Sequence, residues 1–168
     1  MLKIRHSNGT AGHPEQWALA GAACAWLLAV VTSPLLPVRA GVLVYALGSV
    51  ICHQLPARSF HLGGAQFAVC ARCTGIYAGA AVTLVWCAWR GPVRAHTRAR
   101  SDIWRRRVTL AVGCAPTVAT VGLELALGWP LSNLTRAIAG AMLGSALALV
   151  VSEAATLHYG QWPLRPRG

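Results

Sequence analysis

The 168-residue chain is 55% hydrophobic and only 11% charged, with a mean hydropathy of +0.51, more apolar surface than a soluble domain can hide. Its 15 Lys+Arg against 4 Asp+Glu would suggest nucleic acid in a soluble protein. Here every cation but Lys3 is Arg, set in short tracts between uncharged stretches, as where basic loops flank bilayer-crossing helices. Soluble nucleic-acid binding, a collagen-like repeat and disorder are excluded, and the lipid bilayer is the first expected partner.

The first apolar run, Trp17 to Leu36, carries no charge and ends among prolines. It has the roughly 20 residues that a helix needs to cross hydrocarbon, and is too long for the core of a cleaved signal peptide. A second run, residues 40–55, is shorter and would reach about 24 Å as a helix. The third, 73–89, holds Gly75 and Gly79 four apart, a spacing that lets helix backbones approach closely. The fourth, 108–128, contains Pro116 as an expected kink and Glu124 as its only charge. The fifth, 134–157, repeats the small-residue spacing at Gly140 and Gly144. The expectation is an all-α, polytopic integral membrane protein of about five transmembrane helices, forming a single membrane domain over residues 1–168. A homo-oligomer is compatible with it.

Seven arginines crowd the connection 90–107, a density that holds a loop in the cytoplasm. With five spans, alternation puts Arg39, that loop, Arg165 and Arg167 inside and Lys3, Arg5, Arg58, Arg72 and Arg136 outside. The expected location is the cell (inner or plasma) membrane, with an external N-terminus and the segment from Cys52 to Cys73 on the extracytoplasmic side.

Cys24, Cys87 and Cys114 fall inside apolar runs and read as small buried hydrophobes. Cys52, Cys70 and Cys73 fall at the ends of such runs, near His53, His61 and Arg72. If a helix starts near Cys70, its first turn presents Cys70 and Cys73 on one face, where unpaired N–H groups and the helix dipole favour thiolates. Such a pair suits zinc, with Cys52 and His53 or His61 completing four ligands. Adjacent residues seldom bind one metal comfortably, so Cys52 with His61 is sterically the easier choice, and His53 suits a supporting hydrogen bond. The same pair also suits dithiol–disulfide exchange in an oxidising compartment, and a plain structural disulfide is the third reading.

An ionisable residue inside a span is a functional candidate with a nearby partner. For Glu124 those partners are Arg136 and Arg58, so catalytic candidacy rests on Glu124, Arg58, Arg72 and Arg136, and a structural ion pair explains Glu124 equally well. The three arginines also suit an anionic site for a lipid-phosphate headgroup. Asn133 is expected to face the same site.

The stretch Ile51-Cys-His-Gln-Leu-Pro-Ala-Arg-Ser-Phe60, followed by Val69-Cys-Ala-Arg-Cys-Thr-Gly-Ile-Tyr-Ala-Gly79, resembles the signature of a family of prokaryotic membrane proteins known as domain of unknown function 2085. The resemblance extends to Ser132-Asn133, Arg136 and Gly140, similar to that family's later Ser/Thr-Asn-x-x-Arg-x-x-x-Gly stretch. Family members often carry an Asp-Gly upstream of it, where this chain offers Glu124 instead. The resemblance implies an integral membrane protein and brings no established activity.

Overall fold

The computed structural model describes residues 14–90, 99–128 and 130–159. Helix α1 (Pro14–Thr32) ends in a 3-10 turn, and α2 (Val38–Ser49) follows. A short antiparallel hairpin, β1 (Ser59–Leu62) and β2 (Ala65–Cys70), leads into α3 (Ala71–Arg90), α4 (Ala99–Leu127) and α5 (Asn133–Tyr159). Arg94 and Arg98 of the basic connection, together with Lys3, Arg5, Arg165 and Arg167, lie outside the described residues.

Among the described residues, four helices are long and apolar enough to cross a membrane, over Pro14–Leu35, Ala71–Arg90, Ile103–Leu127 and Asn133–Ala155. The second apolar run differs from expectation, forming a helix of only 12 residues, about 18 Å long. Its ends also lie at the same level. Gly41 packs near the Ser33 carbonyl, Gly48 packs on the Ala68 carbonyl, and Ser33 Oγ accepts the Ala68 N–H at 3.0 Å. Helix α2 therefore leaves the end of α1 and returns to the hairpin at that same end of the bundle.

The helix directions follow from the contacts. Ala20 early in α1 packs with Leu84 and Ala88 late in α3, and Val30 late in α1 packs with Val69 and Cys52, so the two helices are antiparallel. Helices α3 and α5 are parallel, because Gly75 lies on Ala137 and Gly79 on Ala141, while Gly140 lies on Arg72 and Gly144 on Ile76. The expected small-residue faces thus meet each other within the chain, bringing the backbones into contact. Ser145 Oγ donates to the Gly79 carbonyl at 3.3 Å across the same seam. Helix α4 runs antiparallel to α5, with Thr117 Oγ1 donating to the Ala139 carbonyl at 2.9 Å.

The two ends of the bundle differ in chemistry. One carries α2, the hairpin, Glu124 and Arg136. The other carries the exposed Trp17, Trp86, Trp89 and Trp104, residues that favour a membrane–water interface, with Arg90 stacked over Trp86. At that end Arg105 and Arg106 hold Glu153 at 2.9 and 3.3 Å, pinning α4 to α5. Large apolar side chains such as Leu28, Val82, Val118, Leu125 and Leu134 are exposed along the helices, which suits hydrocarbon as solvent.

Candidate metal centre

The hairpin was not anticipated from the sequence, yet it places the cysteines. Gly63 and Gly64 both have positive φ, 60° and 85°, as a two-residue type I′ turn requires. The turn folds β2 back so that Cys70 enters α3 beneath the chain leaving α2. Cys70 directly precedes the helix, Cys73 lies in its first turn, and Thr74 Oγ1 donates back to the Cys70 carbonyl at 3.1 Å.

Gln54 is the residue that sequence reasoning overlooked. It is the one described non-glycine with positive φ, 50°, a conformation that costs about 1–2 kcal/mol outside glycine. Its Nε2 donates to the carbonyls of Tyr45 and Ala68, each at 2.7 Å, joining α2 to β2. Tyr45 Oη donates to the Gln66 carbonyl beside it. The turned backbone also aims Gln54 N–H at Cys52 Sγ, 3.5 Å away. The only foreshadowing of this clasp was Gln54's place within the Cys-His-Gln motif.

The sulfurs of Cys52, Cys70 and Cys73 all lie within 4.8 Å of one another, and the three thiols are unpaired. Tetrahedral zinc with Zn–S bonds of about 2.3 Å sets sulfurs about 3.8 Å apart, so the trio needs only a small contraction to share one ion. Cys52 Sγ also accepts the Cys70 N–H at 3.2 Å. Two backbone donors thus fix the position of that sulfur. A hydrogen bond from the Cys73 thiol pulls Cys70 down to about 5, with backbone donors and Cys52 adding to it against the opposing effect of burial. Cys70 is therefore mostly thiolate above pH 5 and reverts to thiol below it.

The two histidines diverge. His53 lines a 230 Å³ pocket together with all three cysteines, Gln54, Arg58 and Arg72. His61 is exposed on β1 opposite Gln66, and neither histidine joins the sulfur trio. Of the remaining cysteines, Cys87 is buried, Cys114 is partly buried, and Cys24 is exposed on the outside of α1, a lipid-facing position rather than the interior one expected.

Beside the trio sits a charge cluster built from four segments. Glu124 of α4, 6% exposed, receives Arg136 Nε of α5 at 2.6 Å. Arg72 of α3 and Arg58 of the turn before β1 approach its other oxygen at 3.6 and 3.8 Å. Asn133 accepts from Arg136 Nη1 at 2.8 Å and donates to the Ser59 carbonyl at 3.1 Å, tying α5 to the hairpin. Ser132 caps α5 through the Thr135 N–H at 3.1 Å. Arg72 Nη2 also reaches Thr120 Oγ1 at 3.5 Å. The expected partners of Glu124 are thus both present, and Arg72 is a third.

The model of a family described as a predicted membrane protein, DUF2085, matches residues 52–150 of the 168. The chain belongs to this family. The DUF2085 match opens on Cys52 and takes in Cys70, Cys73, the three arginines, Glu124 and Asn133. An uncharacterised protein of Methanocaldococcus jannaschii is 55% identical over 42 residues, 25% of this chain and 27% of that protein. An uncharacterised protein of Methanothermobacter thermautotrophicus is 60% identical over 30 residues, 18% of this chain and 27% of that protein. The chain thus matches about a quarter of the length of each relative. No solved structure matches it.

Proposed function

We propose that this DUF2085 member is a multi-pass protein of the cell membrane that binds one zinc ion through Cys52, Cys70 and Cys73 at its extracytoplasmic face. The observation that carries the reading is the convergence of three sulfurs within 4.8 Å, one of them held by two backbone N–H donors. Three thiolates leave the fourth position of a tetrahedral ion open, as in zinc sites that take a water or a substrate. In this reading that position opens on the pocket lined by His53, whose role is to hydrogen-bond a bound water or ligand rather than to bind the ion directly. His61 is the more distant candidate.

The sidedness rests on charge. With four crossings and α2 returning to its own side, the arginine-rich connection 90–107 and the start of α1 share one face, and the cysteines take the other. Lys3 and Arg5 then join the basic side, leaving Arg39, Arg58, Arg72 and Arg136 opposite. This reverses the external N-terminus inferred from five spans and strengthens the positive-inside bias. In intact cells, after mild reduction and chelation, a membrane-impermeant maleimide is expected to label Cys70 or Cys73, and a tag within 94–98 is expected to stay protected. Proteolysis of that tag from outside would reverse the orientation.

The zinc reading predicts close to one zinc per chain in protein purified without chelators, falling toward zero in each of Cys52→Ser, Cys70→Ser and Cys73→Ser, because one missing thiolate opens the site. The second reading, thiol–disulfide exchange, is favoured by the low pKa of Cys70 beside Cys73. It expects Cys52→Ser to keep a reversible Cys70–Cys73 disulfide. Metal-free wild-type protein that cycles this disulfide would decide against zinc.

A further inference from the structure

We infer that the pocket beside the cysteine trio binds a phosphate-type oxyanion, gripped by Arg58 and Arg72; this deepens the zinc reading and draws on it for the charge balance. Three guanidiniums surround the single carboxylate of Glu124, and the tightest contact belongs to Arg136, which does not line the pocket. The two that do, Arg58 and Arg72, touch Glu124 only at 3.8 and 3.6 Å. Arg72 Nε is buried with no hydrogen-bond partner among the described residues. Guanidinium forks left with free donors match the oxygens of a phosphate.

The charges reach the same answer. Three arginines with one glutamate leave two positive charges. Three thiolates around a divalent ion return one negative charge, so one negative position remains to be filled in a partly buried place, where an uncompensated charge is costly. An oxyanion filling the open side of the metal and facing Arg58 and Arg72 closes that balance.

The pocket's size and rim say how the anion arrives. Its 230 Å³ is below the roughly 300–1,000 Å³ of sites that enclose a whole drug-sized ligand, so it suits a headgroup. Ile51 and Leu55 line it and are 60% and 48% exposed, and they continue the exposed apolar surface of Leu43, Leu47 and Val50. An acyl chain lying along α2 would place its phosphate at the arginines, which favours a lipid-borne group over free phosphate.

The test uses zinc-loaded protein in phosphatidylcholine nanodiscs, titrated separately with inorganic phosphate and with dihexanoyl phosphatidic acid, zinc content being measured in each sample. Arg58 is 47% exposed and makes the longest of the three contacts to Glu124, so Arg58→Gln should fold and keep its zinc. At least one probe should bind, and Arg58→Gln should weaken it tenfold or more, with Arg58→Lys intermediate. Tighter binding of phosphatidic acid supports a lipid source, and equal binding of both probes supports the bare oxyanion. If neither probe binds zinc-replete protein, or if Arg58→Gln binds as wild type does, the inference is wrong. Zinc-free wild-type protein would instead overturn the metal reading, and arginine-dependent phosphate binding by such protein would leave the anion site standing.

Discussion

Gly144→Leu is expected to abolish folded yield in detergent, measured as the loss of the monodisperse peak in size-exclusion chromatography. A Cβ built at Gly144 would lie 1.9 Å from the Ile76 carbonyl oxygen, and the same construction gives 2.0 Å from Ala137 O at Gly75, 2.1 Å from Ala141 O at Gly79 and 2.2 Å from Arg72 O at Gly140. In each case the obstacle is backbone, which cannot rotate aside as a side chain does. Overpacking in ordinary cores costs about 1–3 kcal/mol. Here a single methyl must separate two helices along their whole contact, so Gly→Ala at any of the four should already lower thermal stability sharply. Gly21→Ala and Gly122→Ala, where a Cβ meets nothing within 4 Å, should be neutral or slightly stabilising because alanine favours helix. Wild-type stability in Gly75→Ala and Gly144→Ala would refute the close-packed seam.

Glu124→Gln is the second change expected to be severe. It leaves three guanidiniums facing one another with no negative charge, and breaking a buried ion pair from one side typically costs about 3–5 kcal/mol. Arg136→Met should be milder, because Arg72 and Arg58 remain on the carboxylate. The double variant should lose less than the sum of the two, since the 2.6 Å pair is counted in both single changes. It should not recover wild-type stability, because Arg72 still lacks its acid. Arg58→Met should be mildest of all, as befits a half-exposed partner at 3.8 Å. Strict additivity in the Glu124/Arg136 cycle, followed by thermal unfolding, would show that the two residues do not act together.

Much of this arrangement was legible in the chain. Uncharged runs of helical length gave the membrane class, and an acid inside a span announced its arginine partners. The four-residue glycine spacing marked α3 and α5 as close-packing, though spacing alone did not say that they pack on each other. Three features were hidden, each for a physical reason. Residues 40–55 read as a span because apolarity reports immersion in lipid, not whether the chain crosses or turns back. The hairpin went unseen because its strands, of four and six residues, carry no clear alternation, and Gly63-Gly64 was the only turn signal. The Gln54 clasp depends on a positive φ that few side chains adopt. The separation of His53 from His61 followed from that missed hairpin, which places one at the pocket and the other along an exposed strand.

The backbone contact between α3 and α5 divides the molecule into unequal mechanical parts. Two helices touching at four glycines move as one stiff post, and Cys73, Arg72 and Arg136 are all mounted on it. Helix α2 and the chain leading into the hairpin form a lighter leaf, which carries Cys52 and Arg58 and is fastened to α5 by Asn133. The sulfur trio straddles the joint, with Cys52 on the leaf and Cys73 on the post. An ion held by all three sulfurs would tie leaf to post at a point that the Asn133 contact and the Gln54 clasp do not reach.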